Sequence, residues 1–392
     1  MRRISVLLSI VLAVALSAVG PALAQSKEPV KIGLSAAVSG GSAASGEAIK
    51  RGLQIAIDEI NAKGGVLGGR KLELVIRDDE GNPQKGVIIA RELVEREKVA
   101  AVFGGLHTTV ALAQVPVWQE LKTPYMGAWA AGTNITRNGQ TPNYVFRVSA
   151  NDDYVDRFLS RYAIEVLKKG KPGLLLENTP WGQSNEAGLT KWFGEKGIKA
   201  VGVERFNWND PDMSPQLLRL KSAGADHIVL VANAPEGAQV LRSKAKLGWD
   251  TAMISHWGIS GGRFAELTGD LSEGVTFLQT YTFSGKQNER GQYVLKMLRE
   301  KHGVKEPGDV IAPVGTANAY DGLHLVALAI DQAGSTEGSK VRDALENLKG
   351  EYKGLIKTYK RPFTPEQHDA LTDEDYVMVV WKGGKIVPVT MK

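Results

Sequence analysis

Apolar residues recur in two rhythms along this chain, and the rhythms alternate. Short apolar or every-second-residue runs bounded by glycine read as strands. Stretches with apolar positions three and four apart read as helices buried along one face. Residues 30–34 predict a strand, 35–46 (SAAVSGGSAASG) a small-residue loop, and 47–61 a helix with Ile49, Leu53, Ile57 and Ile60 on one side. Residues 71–77 alternate as a strand, and Asn82-Pro83 opens a helix carrying Val87, Ala90 and Val94. The pattern is densest at 99–136, where Ala100 to Phe103 form a buried strand stopped by Gly104 and Gly105. A helix over 109–120 follows, with Val110, Ala113, Val117 and Leu121 in register, and then a strand over 124–129 ending in Ala130, Ala131 and Gly132.

The same order resumes past Asp152, with helices at 154–168, 183–196, 215–223 and 236–247 and strands at 173–177, 200–205, 227–231, 252–255 and 274–279. Three further helices, at 289–302, 317–333 and 339–348, bring few strands of their own, so they are expected to pack on an existing sheet. Residues 376–381 and 385–389 around Lys382-Gly383-Gly384 read as a hairpin. Strands alternating with helices imply parallel sheets covered on both faces, here in two α/β layers with a boundary near 148–151.

Two neighbouring strand ends, each followed by small residues and a helix start, gather hydroxyls and free backbone N–H groups at a sheet's carboxyl edge. Thr108 and Thr109 stand at one of them. A carboxylate there gains from the helix dipole and from charge-assisted hydrogen bonds, each about 1.5–3 kcal/mol when shielded from water. Thr108 also reads simply as a helix cap, with the glycines as turns.

Composition narrows the setting. The chain has 392 residues, 43% of them hydrophobic, enough for two cored domains. Residues 1–24 begin with Arg2 and Arg3, continue apolar and end in Ala22-Leu23-Ala24, the pattern of a secretory signal peptide. With no cysteine there is no residue for a lipid anchor, a disulfide or a thiolate metal site. The expectation is a soluble protein free in the periplasm. The net charge of +5 falls to +3 without the two leader arginines, which gives no reason to expect nucleic acid as a partner. No H-E-x-x-H or G-x-x-x-x-G-K-[ST] run occurs, so neither a metal, an ATP site nor any other cofactor is expected.

At this point the residues carry a family likeness. The run VKIGLSAAVSGGSAASGEAIKRGLQIAIDEINAKGGVLGGRKLELVIRDDEGNP, with FGGLHTTVALAQVPVWQELKTPYMGAWA and TANAYDGLHLVALAI, resembles the periplasmic branched-chain amino-acid-binding proteins, receptors of ABC importers. The resemblance implies a type I periplasmic binding fold: two parallel-sheet α/β lobes joined by crossovers, with a ligand cleft between them. Lobe 1 would comprise 27–147 and 279–360, and lobe 2 148–278 and 361–392. It also implies an inner-membrane ABC permease as partner and action as a monomer without catalysis.

Carried over position by position, the carboxylate loop falls on 106–109, with His107, Thr108 and Thr109, and a second loop on Trp129, Ala130 and Ala131. The closing lobe would contribute Trp181, Asn233 and Trp257, and Tyr154 at the lobe boundary is a further lining candidate. Two departures bear on the ligand. Ala131 replaces a threonine of the amino-acid binders, and the stretch 255–260 has no acid to pair with an ammonium. Ser45 replaces a large aromatic. These features favour a carboxylate with an uncharged, aromatic body over a branched-chain or other amino acid.

Other readings remain at this stage. A sensory module would use the same cleft. Gly258-Ile259-Ser260-Gly261-Gly262 matches the nucleophile elbow G-x-S-x-G, with His302, His324 and His368 downstream, and an exported hydrolase using Ser260 would follow from it. His107 could instead cap a helix and Trp129 could face the core. Asp321, and Trp118, Trp192 and Trp249, are read as structural.

Overall fold

The computed structural model describes residues 28–389, so the leader expected at 1–24 lies outside the described residues. Five strands, β1 (Val30–Ala36), β2 (Leu72–Asp78), β3 (Ala101–Gly104), β4 (Tyr125–Gly127) and β5 (Val145–Arg147), form a wholly parallel sheet in the order β2-β1-β3-β4-β5. Five more, β6 (Pro172–Glu177), β7 (Gly202–Phe206), β8 (His227–Val231), β9 (Ala252–Ser255) and β10 (Thr276–Gln279), belong to a second sheet. A separate ribbon pairs β11 (Glu351–Lys353) with β12 (Thr358–Lys360). The hairpin β13 (Val377–Lys382) and β14 (Lys385–Pro388) completes the second sheet, ordered β14-β13-β10-β9-β8-β6-β7, with β13 antiparallel to β10.

Twelve α-helices occur among the described residues. The first sheet is interleaved with α1 (Ala43–Ala62), α2 (Pro83–Arg91), α3 (Thr108–Glu120) and the single turn α4 (Thr133–Thr136). The second carries α5 (Asp152–Arg161), α6 (Pro180–Gly194), α7 (Ser214–Ser222), α8 (Ala234–Lys246) and the short α9 (Phe264–Thr268). Then come α10 (Glu289–His302), α11 (Pro313–Ala333) and α12 (Gly338–Glu346). Strand alternation assigns the faces: Ala101 and Phe103 of β3 join the core shared with α1 and α11, and Val102 joins the core under α2 and α3. The second sheet divides likewise, Leu174 and Leu176 to one side and Leu175 to the other. The chain is therefore a mixed α/β protein of two lobes, between which it passes three times: after β5, after β10 and after β12.

Several elements differ from the sequence expectation for identifiable reasons. Helix α1 starts at Ala43, inside the expected loop, because its backbone lies against the preceding turn; a Cβ on Gly46 would stand 2.1 Å from the Ala37 carbonyl oxygen. Gly52 allows an equally close crossing with α11, where a Cβ would meet the Thr316 carbonyl at 2.2 Å. Strand β4 stops at Gly127, and the chain then turns Trp129 into the core. Strand β5, three buried residues long, gives no period to read. The β11–β12 ribbon was also missed, although Asp321 binds it: the carboxylate accepts the N–H groups of Leu355 (2.7 Å) and Ile356 (2.9 Å) and the hydroxyls of Tyr359 and Tyr352. Burial pushes this carboxyl up to about 6, and its role is structural. Among the described residues no helix is long and apolar enough to cross a membrane, and no group of three or more His, Asp or Glu is arranged to hold a metal.

Candidate functional site

Loops that leave the carboxyl ends of β1, β3, β6, β7 and β8 meet between the two sheets, where parallel α/β architecture places ligand sites. They enclose two adjoining cavities. The inner one, about 10 Å³, is bounded by Thr108 and Thr109 of the first lobe and by Glu177, Thr179 and Trp181 of the second. The outer one, about 440 Å³, opens between the 39–42 turn and Asn209, Pro235 and Glu236. His107, Trp208 and Asn233 border both. The inner space holds about one water molecule.

The first-lobe wall is the start of α3. His107 is the N-cap residue, yet its side chain makes no capping hydrogen bond. The first-turn N–H groups therefore face the cleft without a side-chain acceptor. The Thr108 hydroxyl accepts the Gly132 N–H at 3.2 Å, and the Thr109 hydroxyl is buried with no hydrogen-bond partner. His107 hydrogen-bonds Ser42 Oγ through Nε2 at 3.2 Å and meets Trp208 edge-on, ring centroids 5.5 Å apart. Burial pushes its imidazole down to about 4, so it is neutral at pH 7.

The opposite wall contains an acid. Glu177 ends β6 at 2% exposure; it accepts the Thr179 hydroxyl at 2.9 Å and the Asn233 amide at 3.1 Å, with the Trp208 side chain as a third partner. Burial pushes its carboxyl up to about 7 against these hydrogen bonds, and neighbouring Glu236 adds to the rise. Trp181 is fixed from behind: its indole N–H donates to Asp152 Oδ1 at 3.2 Å, an oxygen that also pairs with His256 Nε2 at 3.0 Å.

Of the ten residues expected at the site, His107, Thr108, Thr109, Trp181 and Asn233 line the inner cavity together. The other five line neither. Trp129 and Trp257, each 1% exposed, pack on one another at 5.8 Å, because the glycine at 315 leaves a slot for the Trp129 ring. The Ala130 N–H is used by the Gly105 carbonyl (3.0 Å), and the Ala131 carbonyl accepts the Asp152 N–H (2.8 Å). Tyr154 lies away from the cleft with Arg137 and Arg157 over its ring and its hydroxyl accepting from Gln367.

Although 255–260 has no acid, the closing lobe brings two others to the cleft, Glu177 and Glu236. Glu177 ends β6 and Glu236 stands in the first turn of α8. The sequence signal available was an acid ending an otherwise apolar strand, LLLE before NTPWG. Trp208, in an irregular connection, carried no periodic signal. Ser260 is also corrected: it is wholly buried, donates to the Trp257 carbonyl at 2.8 Å and accepts from Gln279 at 2.9 Å. Of the downstream histidines, His324 pairs with Glu59 and His368 with Glu346.

A family model described as periplasmic binding protein matches residues 29–385. A Leu/Ile/Val-binding protein homolog 2 from Brucella abortus is 28% identical over 356 residues, 91% of each chain. Among solved structures, a type 1 periplasmic binding protein from Bordetella pertussis superposes with a TM-score of 0.85 at 24% identity, over 93% of this chain and 100% of that one. A solute binding protein of R. palustris in complex with 4-hydroxybenzoate gives 0.78 at 21% identity, over 93% and 96%.

Proposed function

Because the chain belongs to the periplasmic binding protein family, whose members bind small molecules and work with ABC permeases, we propose that it captures a small organic carboxylate for an ABC importer. The observation that carries this reading is the Thr109 hydroxyl, buried in the cleft and unpartnered, beside the uncapped first turn of α3. A carboxylate placed there satisfies that hydroxyl and the first-turn N–H groups at once, and the N-terminal end of the helix dipole favours its charge.

The ligand docks on the first lobe, 27–147 with 279–360, and the second lobe, 148–278 with 361–392, closes over it; the three crossings between the sheets support this division. Closure is favoured by contacts made only when Trp181, Asn233 and Trp208 reach the ligand. Rings on both walls support a flat, aromatic body, and the R. palustris protein similar to this one was crystallised with 4-hydroxybenzoate. The receptor acts as a monomer, and no covalent step is needed.

The test compares acids with their amides. Benzoate and 4-hydroxybenzoate are each matched with the corresponding benzamide in a thermal-shift titration. A bound acid at about 100 times its dissociation constant adds about 2.7 kcal/mol of stability. Amides that stabilise the protein as well as their acids do would refute the carboxylate reading.

A further inference from the structure

Asp152 lines neither cavity of the cleft, yet it holds residues that stand around it. It heads α5 directly after the first crossing and is wholly buried. Its backbone N–H donates to the Ala131 carbonyl of the first lobe at 2.8 Å. Its carboxylate turns to the second lobe, where Oδ1 accepts from the Trp181 indole N–H at 3.2 Å and pairs with His256 Nε2 at 3.0 Å. His256 Nδ1 accepts the Trp257 N–H at 2.8 Å, which puts the ring proton on Nε2 and makes the histidine a donor to Asp152. One carboxylate oxygen thus fixes the start of α6 and the 256–260 turn to the residue that also holds the 130–132 loop.

The same bond decides what Trp181 shows to a ligand. Its single donor is spent on Asp152, so the ring offers only carbon to the inner cavity. The indole is edge-on to the His256 ring, centroids 5.0 Å apart, and a Cβ on Gly258 would stand 2.7 Å from its far end. Both ends of the ring are therefore fixed. Without the acceptor, two buried donors lose their partner, a penalty relieved when Trp181 or His256 shifts toward water in the cleft.

Resting on the carboxylate reading above, we propose that Asp152 is a positioning residue of the binding site: it does not meet the ligand, and it sets affinity by holding the Trp181 ring, donor turned away, across the inner cavity from Thr109.

Two measurements test this. In ligand-free protein carrying 15N-labelled tryptophan, the Trp181 indole signal is identified by its absence from Trp181→Phe. It should shift and exchange faster with solvent in Asp152→Ala, and return toward the wild-type position in Asp152→Asn, which keeps an oxygen acceptor in place. In calorimetric titration with 4-hydroxybenzoate, Asp152→Ala and Trp181→Phe should each bind about tenfold more weakly than the wild type, the double variant about as weakly as Trp181→Phe alone, and Asp152→Asn within about threefold of the wild type. Asp152→Ser, too short to reach the indole, takes the place of Asp152→Ala if that variant does not fold. An unmoved indole signal, losses that add in the double variant, or no recovery in Asp152→Asn overturns the proposal, because a residue that merely stabilises the lobe weakens binding independently of Trp181. If the indole signal moves as expected while 4-hydroxybenzoate and benzoate fail to bind the wild type, the aromatic carboxylate reading falls and the hold of Asp152 on Trp181 stands.

Discussion

Arg147 and Asp369, 222 residues apart in sequence, form an ion pair at 2.7 Å in which neither side chain is exposed. Arg147 ends β5, and its guanidinium also donates to the Ala130 and Gly132 carbonyls at 3.2 and 3.0 Å; Asp369 accepts from Asn151 and Thr136 as well. The pair ties the 130–132 loop to two of the crossing segments, so it sets where the loop beside Thr108 stands. Asp369→Ala leaves a buried cation unpaired and should cost about 3–5 kcal/mol in a urea unfolding curve. A loss below about 1 kcal/mol would show that water reaches Arg147.

Thr109→Val separates ligand binding from stability. The variant removes a buried hydroxyl that has no partner in the unliganded protein, so its unfolding midpoint should stay or rise, by up to about 1 kcal/mol. Its affinity for a carboxylate should fall about tenfold or more, since a hydrogen bond to charge contributes about 1.5–3 kcal/mol. Unchanged affinity in a calorimeter would place the headgroup elsewhere.

Asp156 should make the protein less stable as pH rises. It is wholly buried on α5, neither carboxyl oxygen has a hydrogen-bond partner, and burial holds its carboxyl well above the ordinary 3.8, with Asp152 and Asp153 adding to the rise. The folded state therefore holds a proton that the unfolded chain releases just above pH 3.8, and the contribution to stability diminishes as pH climbs toward the folded value. Between pH 5 and pH 8 the wild-type melting temperature should drop further than that of Asp156→Asn. Parallel curves for the two proteins would rule this out.

Binding of a carboxylate should strengthen on acidification. A negative headgroup at Thr109, in the cavity that Glu177 also lines, favours the protonated carboxyl, so binding takes up a proton at a group near 7. Affinity should fall by up to about tenfold per unit above pH 7 for each proton taken up. Glu236, also raised by burial, acts in the same direction, whereas His107, near 4, does not titrate between pH 6 and pH 8. In Glu177→Gln the slope should be shallower; an equally steep profile in the variant would assign the proton to another group.

What the sequence determined alone was the order of elements and the edge at which a site forms. Strand and helix periods differ, two against 3.6, so alternating apolar runs reveal parallel sheets, and the chain direction of such sheets puts the loops after β1, β3, β6 and β8 at one edge. Thr108 and Thr109 were legible for that reason, standing just beyond a strand's carboxyl end, whereas His107, Trp181 and Asn233 came from the family resemblance. Tertiary structure decided which rings and charges reach the cleft. Periodicity says that a side chain is buried but not in which layer, so Trp129 and Trp257 went to the core between the lobes while Trp208, from an irregular segment, lines both cavities. Arg147 depends on Asp369, and no local pattern encodes a neighbour that arrives only when the chain has crossed between the lobes; Glu177 meets Asn233 within its own lobe, but only once β6 and β8 pair.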